Sequence, residues 1–179
     1  MQTNDYAFIE MEKMNGGTLQ DVIDKAREMS ISPKSNSSGG TEDNFSSKAE
    51  RQRGQGYREA VDEETTSSLM KDILSGLCKI HERNYIHRDL KPENILLNVI
   101  NEDERERFGD QFKPRYIAKI ADFGLSAEIK YGIFSGKNHI DDRMGTLLYM
   151  APEQAQGKVY GKRVDIWALG VIMYTMLTG

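Results

Sequence analysis

The residues most able to do chemistry lie in the sequence HRDLKPEN at 87–94. Asp89 is a group that can take a proton from a hydroxyl, and it lies two residues before Lys91 and five before Asn94. The carboxamide oxygen of Asn94 suits a hard cation such as Mg²⁺. Pro92 stiffens the loop and removes one backbone donor. The spacing therefore predicts a loop that aims a carboxylate and a carboxamide into one space.

The segments after this loop supply an anchor and a second carboxylate. The apolar run Ile95-Leu96-Leu97 predicts a short buried strand that anchors the loop. A connector then leads to Asp122-Phe123-Gly124, where the glycine lets the chain turn sharply. Asp and Asn side chains also cap loops, which is the alternative explanation for each of these residues taken alone.

Four motifs in this order resemble the serine/threonine branch of the protein kinase family. They are HRDLKPEN at 87–94, ADFG at 121–124, GTLLYMAPE at 145–153 and DIWALGV at 165–171. Lys91 marks the serine/threonine branch, and the runs KIADFGLSA and GTLLYMAPE are most similar to calcium/calmodulin-dependent-type kinases. The resemblance implies transfer of the γ-phosphoryl group of ATP to a Ser or Thr hydroxyl of a protein substrate, with Mg²⁺ as cofactor.

The resemblance also assigns roles to single residues. Asp89 would orient the attacking hydroxyl and take its proton, Lys91 would steady the γ-phosphate, and Thr146 would bridge these two. Asn94 and Asp122 would ligate Mg²⁺. The residues expected to contact the nucleotide are the gatekeeper Met11, the hinge residues Glu12 and Met14, Glu93, Leu96 below the adenine, and Asp122.

Two further residues of the motifs are expected to have packing roles. His87 and Phe123 would pack together as part of the regulatory spine. His87 is not expected to act as a base.

The expected fold is α+β and kinase-like, with a mostly α-helical large lobe and only the last strand and hinge of the small lobe. Residues 6–17 are assigned to that strand and hinge, and 18–29 to a helix capped by Thr18. The polar composition of 30–64 predicts a disordered insert. Residues 65–179 form the catalytic core, which includes a connector at 98–115 and ends in a buried apolar helix at 165–178.

Several parts of a complete kinase domain are missing from the 179 residues. No Gly-rich loop precedes Tyr6, and no strand lysine reaches the α- and β-phosphates. The later large-lobe helices are also expected to be missing, so that the helix at 165–178 would lose part of its cover. We therefore predict a partial kinase domain, 1–179, with little or no activity by itself.

A pseudokinase-like module that binds a nucleotide or a protein is the alternative function. Pseudokinases usually lose Asp89, Asn94 or Asp122, and all three are present here. The motifs therefore favour the enzyme, whereas the missing lobe favours the binding module.

Composition limits the partners and the location of the chain. The net charge of −4 gives no reason to expect a nucleic-acid partner. The N-terminus does not resemble a signal peptide, and the longest apolar run is too short to cross a bilayer, so a cytoplasmic location is expected. The single cysteine, Cys78, excludes an intramolecular disulfide and is expected to pack inside.

Arg88 predicts control through the activation segment, which spans 122–153. In kinases with an Arg at this position, a phosphate on that segment pairs with it. The usual phosphorylated position, four residues before Thr146, is Asp142 here. We hypothesise that Asp142 supplies a standing carboxylate partner for Arg88; the alternative is an exposed acidic turn.

Overall fold

The computed structural model describes residues 11–31, 61–101, 116–129 and 143–179, of which the side chains of 29–31 are not considered. Its elements in chain order are α1 (Leu19–Ile31), α2 (Glu63–Glu82), β1 (Tyr85–Ile86), β2 (Ile95–Val99), β3 (Tyr116–Ile120), β4 (Ala127–Glu128), α3 (Pro152–Ala155) and α4 (Arg163–Thr178). Short 3₁₀ turns cover Pro92–Asn94 and Leu147–Tyr149. Strand β2 pairs antiparallel with β3, and β1 pairs antiparallel with β4. This mixture of helices and strands agrees with the expected α+β class.

Helix α1 begins after Thr18, as the sequence predicts. The Thr18 hydroxyl oxygen accepts from the backbone N–H of Asp21 at 3.2 Å, and the Asp21 carboxylate accepts from the Thr18 N–H at 2.8 Å. This reciprocal pair is a capping box with Asp in place of Glu. The helix continues to Ile31, two residues beyond the predicted end at 29.

The predicted disordered insert at 30–64 is wrong at both of its ends. Ser30 and Ile31 continue α1, and α2 already begins at Glu63. Asp62 caps α2 by accepting from the Thr65 N–H at 2.8 Å, and the N–H of the buried Val61 donates to the Met176 carbonyl at 2.8 Å. Composition does not reveal such tertiary partners. Residues 32–60 lie outside the described residues, so disorder there stays a prediction.

Helix α2 supplies one side of the core through residues at helical spacing. Leu69, Ile73 and Leu77 are buried, and each contributes roughly 1.5–3 kcal/mol by leaving water. They pack with buried residues of α1, β2, β3 and α4. Cys78 is exposed, so its predicted packing role is wrong, because it lies one residue away from the buried stripe.

The segment from Asn15 to Thr18 lies against β2. The Gly16 N–H donates to the Leu97 carbonyl at 2.8 Å, and the Leu97 N–H donates to the Gly17 carbonyl at 2.9 Å. A Cβ atom on Gly16 would lie 2.8 Å from the Leu97 carbonyl oxygen, so this close approach requires glycine. Met11 itself is not in a strand. The rest of the predicted strand, 6–10, lies outside the described residues.

Strand β2 is longer than the apolar run predicts. Asn98 and Val99, which were expected to begin the charged connector at 98–115, pair with Ile117 and Tyr116 of β3. The strand extends because antiparallel pairing continues through these two residues. Most of the connector, 102–115, lies outside the described residues.

Helix α4 is buried on one side only within the described part of the chain. Val164, Leu169, Ile172 and Met176 are buried, and the helix contacts α2 and the Leu147–Tyr149 turn. The other side is exposed and includes Ile166, Trp167, Met173 and Tyr174. Burial on all sides of this helix, as the sequence predicts, is therefore wrong for the described residues.

Candidate active site

Asp89 lies at the centre of a dense hydrogen-bond network. The backbone N–H and the hydroxyl of Thr146 both donate to its Oδ1 at 2.8 Å. The Lys91 ammonium lies 3.0 Å from Asp89 Oδ2 and donates to the Thr146 hydroxyl at 3.0 Å. The structure thus brings Asp89, Lys91 and Thr146 together, and Thr146 bridges the other two as expected.

Asn94, the fourth predicted catalytic residue, is fixed by its amide nitrogen. Its Nδ2 donates to the Asp89 carbonyl at 2.9 Å and to Asp89 Oδ2 at 3.2 Å. Because the nitrogen is occupied in this way, the carbonyl oxygen is the atom that Asn94 can offer to a cation.

The strand pairing brings Asp122 beside this loop. Ile95 of β2 is paired with Ile120 of β3, and the Ala121 N–H donates to the Asn94 carbonyl at 2.9 Å. Asp122 has φ of +60° and accepts from the Gly124 N–H at 3.1 Å through Oδ1. The chain therefore turns so that an exposed carboxylate follows β3 directly.

These oxygen atoms fit Mg²⁺ as a cofactor. Mg²⁺ is usually held by one or two protein oxygen ligands together with substrate phosphates and water. Asn94 offers a carbonyl oxygen and Asp122 an exposed carboxylate, on segments joined by a backbone hydrogen bond. Among the described residues, no cluster of three or more His, Cys, Asp or Glu side chains forms a metal site of another kind.

A cavity of about 690 Å³ lies next to Asp122. Five of the six residues predicted to contact the nucleotide line it: Met11, Glu12, Met14, Leu96 and Asp122. Glu12 also forms an ion pair with Lys119 of β3, another lining residue. Glu93 does not line the cavity. In the 3₁₀ turn its neighbours Pro92 and Asn94 are buried, whereas Glu93 is exposed.

Comparison with known proteins agrees with this geometry. The Pkinase family, described as the protein kinase domain, matches residues 1–179. The chain belongs to the protein kinase family. Its motifs and the relatives below also confirm the serine/threonine branch that Lys91 indicates.

Three relatives are similar to this kinase chain over about two thirds of its length. Calcium-dependent protein kinase 4 of Plasmodium falciparum is 40% identical over 111 residues, which are 62% of this chain and 18% of that protein. DNA damage response protein kinase DUN1 of Saccharomyces cerevisiae is 38% identical over 122 residues, 65% of this chain and 23% of that protein. Maternal embryonic leucine zipper kinase of Xenopus laevis is 37% identical over 123 residues, 68% of this chain and 16% of that protein. The chain thus spans less than a quarter of these curated relatives.

The catalytic loop of this kinase chain is held by Asp165 of α4. One carboxylate oxygen of Asp165 accepts from the His87 N–H at 3.0 Å and the other from the Arg88 N–H at 2.9 Å. The same carboxylate has a third partner, His81, whose Nε2 lies 2.7 Å from Asp165 Oδ2. Nothing in the spacing signals that pair, because the two residues are 84 positions apart. Asp165 does not begin the helix, since α4 starts at Arg163.

The regulatory residues of the loop are placed only in part. The rings of His87 and Phe123 meet edge to face at 5.3 Å, so the expected packing contact is present. Arg88 has φ of +70°, and its Nε donates to the Leu125 carbonyl. Asp142 lies outside the described residues, so its pairing with Arg88 stays a hypothesis.

Within the described ranges, every helix is too short or too polar to be a candidate membrane span.

The electrostatics around Asp89 favour its ionised form. Burial raises the pKa of this carboxyl, but hydrogen bonds from Lys91 and Thr146 and the Lys91 charge together lower the pKa below its ordinary value. An ionised carboxylate is the form that accepts a proton. Asp89 therefore keeps its acceptor form to lower pH than an unperturbed Asp.

Replacing Thr146 with Val should shift the pH dependence of catalysis toward higher pH. The change removes the hydroxyl donor to Asp89 but keeps the backbone donor and the branched shape. The pKa of Asp89 then rises, and activity that needs the carboxylate is lost at a higher pH as the solution is acidified. The measurement is the acidic limb of kcat/KM for a peptide substrate, in the longest natural polypeptide that carries this chain. Thr146→Ser, which keeps the hydroxyl, is the control. If kcat/KM falls at the same acidic pH in Thr146→Val and in wild type, the prediction is contradicted.

Proposed function

We propose that these residues form the catalytic core of an ATP-dependent kinase that phosphorylates Ser or Thr hydroxyls of a protein. The observation that carries this proposal is the network of Asp89, Lys91 and Thr146. This network lies beside Asn94 and Asp122, whose side-chain oxygens can ligate a metal ion. A proton acceptor, a cation and two metal-ligand oxygens in one place are the parts that phosphoryl transfer requires.

Asp89 would accept the proton of the attacking Ser or Thr hydroxyl while holding that hydroxyl in line. The contacts to Lys91 and Thr146 fix its carboxylate in one orientation. Lys91, at 3.0 Å from Asp89, would then place its ammonium beside the transferred phosphoryl group. Asn94 and Asp122 would hold Mg²⁺, whose charge would offset the negative charge of the phosphate oxygens.

The nucleotide would bind in the cavity between Met11–Met14 and Leu96. The lining of Met11, Met14 and Leu96 is apolar and suits an adenine ring. The backbone groups of Glu12 and Met14 would hydrogen-bond the adenine edge, as hinge residues do. Glu93 does not line the cavity, so its expected contact with the nucleotide stays a prediction.

The 179-residue polypeptide alone is proposed to transfer little or no phosphate. Its sequence contains neither the Gly-rich loop that covers the phosphates nor the strand lysine that pairs with them. Asp89 and the metal ligands would therefore act on a nucleotide whose phosphates are poorly fixed, and positioning provides most of the catalysis in phosphoryl transfer.

A two-part assay tests the proposed function. The longest natural polypeptide that carries this chain is incubated with Mg²⁺, labelled ATP and a Ser/Thr peptide library, and residues 1–179 are assayed in parallel. We expect transfer by the first and none by the second above the level of an Asp89→Asn variant. Binding of Mg²⁺-ATP by the longest polypeptide without any transfer would contradict the enzyme and favour the pseudokinase-like binding module. Transfer by residues 1–179 above the Asp89→Asn level would contradict the proposed inactivity.

A further inference from the structure

Gln154 is a buried polar residue to which neither the motifs nor the family resemblance assigns a role. It lies in α3 immediately after Ala151-Pro152-Glu153, and only 2% of its surface is exposed. Its side-chain Nε2 donates to the Arg88 carbonyl at 3.2 Å and also to the Met144 carbonyl. An amide nitrogen has two hydrogens, so each carbonyl can receive one of them.

The two carbonyls belong to the two segments that meet at Asp89. Arg88 immediately precedes Asp89 in the catalytic loop, and Met144 lies two residues before Thr146 in the activation segment. Between them, Gly145 has φ of +118°, and a Cβ atom there would lie only 2.5 Å from the Arg88 carbonyl oxygen. The two backbones are therefore in close contact at this point.

The backbone at Arg88 needs external support. A non-glycine residue with positive φ is strained and persists only when its surroundings fix it. The Arg88 N–H is held by Asp165 at 2.9 Å, and its carbonyl is held by Gln154 at 3.2 Å. The peptide units on both sides of Arg88 are thus tied to separate helices.

We propose that Gln154 is a positioning residue for catalysis, which clamps the activation segment to the catalytic loop so that Thr146 reaches Asp89 and Lys91. An apolar residue of equal size would fill the same buried space but would donate to neither carbonyl. The clamp acts through Thr146. Because Gly145 directly precedes Thr146, the position of Gly145 determines whether the Thr146 N–H and hydroxyl reach Asp89. This inference rests on the proposed kinase function and names a determinant of the same site.

The test compares Gln154→Met with wild type in the longest natural polypeptide that carries this chain. Methionine keeps the length and volume of the side chain and removes both donors. We expect kcat to fall by about 10- to 100-fold, since small misplacements at a reacting centre have effects of this size. The KM for ATP should change less than about twofold, because Gln154 does not line the nucleotide cavity. Gln156→Met, an exposed position two residues later, is the matched control.

A double-mutant cycle separates positioning from a general loss of structure. In a Thr146→Val background, Gln154→Met should lower kcat by clearly less than it does alone, because both changes disturb the same contact to Asp89. Fully additive losses, or an unchanged kcat in the single variant, would overturn the proposal. If the wild-type polypeptide itself transfers no phosphate, the proposed function is overturned instead.

Amide hydrogen exchange gives a readout that does not need activity. The Thr146 N–H donates to Asp89, so its exchange should accelerate in Gln154→Met, whereas core amides of α2 should keep their rates. Equal exchange at Thr146 in wild type and variant would overturn the clamp. If Gln154→Met does not fold, Gln154→Ala is measured in the same way, because it removes both donors without introducing a larger apolar group.

Discussion

Replacing Asp89 with Asn is expected to lower kcat for phosphoryl transfer by about 10²–10⁴-fold. Asn has nearly the same shape as Asp, and its carbonyl oxygen can still accept from the N–H and hydroxyl of Thr146. It cannot take the proton of a Ser or Thr hydroxyl, and it gives Lys91 no ionic partner. The loss should therefore appear in the chemical step rather than in folding.

The measurement is single-turnover phosphate transfer by the longest natural polypeptide that carries this chain, with ATP affinity and melting temperature measured beside it. Asp24→Asn, on an exposed surface of α1, is the matched control and should keep full activity. A decrease of less than about tenfold in the Asp89→Asn variant would show that Asp89 is not the proton acceptor.

Replacing Asp165 with Ala is expected to destabilise the fold by about 3–5 kcal/mol. The change removes the acceptor for the His87 and Arg88 N–H groups and for His81, all of which lie around a carboxylate that is only 1% exposed. A buried donor left without a partner costs about 1–3 kcal/mol. Because a domain is stable by only about 5–15 kcal/mol, the variant should unfold at much lower denaturant concentration.

Urea unfolding of wild type and variant measures this effect as a difference in free energy of unfolding. Asp24→Ala provides the comparison for loss of an exposed carboxylate, with an expected change within about 0.5 kcal/mol. His81→Ala removes only one of the three partners of Asp165. Its loss in free energy of unfolding should lie between those of Asp24→Ala and Asp165→Ala. Equal stability of Asp165→Ala and Asp24→Ala would contradict the anchoring role of Asp165.

Local contacts were the part of this structure that the sequence could predict. Thr18 and Asp21 are three residues apart, so their capping box can be recognised from spacing alone. The stripe of Leu69, Ile73 and Leu77 follows from helical periodicity in the same way. The Asp89, Lys91 and Thr146 network came from the kinase resemblance, because spacing cannot relate a loop residue to one more than 50 positions away.

Contacts between distant segments were the part that sequence reasoning missed. The polar composition around 61–64 does not indicate that Asp62 caps a helix, nor that the N–H of a buried Val61 donates to the Met176 carbonyl. Gln154 is a polar residue in a short helix, and only the folded chain shows which carbonyls it reaches. Glu93 is expected at the nucleotide from its motif position; the structure shows it exposed and not among the cavity-lining residues, so this contact stays a prediction.

The anchor of the catalytic loop has a consequence for the order in which the chain assembles. Asp165 follows Arg88 by 77 positions, so during synthesis the loop is made well before the carboxylate that holds it. At translation rates of about 5–20 residues per second, the loop waits roughly 4–15 s for that anchor. Through this interval the Arg88 N–H lacks the carboxylate that holds it in the folded chain. The catalytic geometry can therefore be completed only after Asp165 has been made, although the loop itself lies in the middle of the chain.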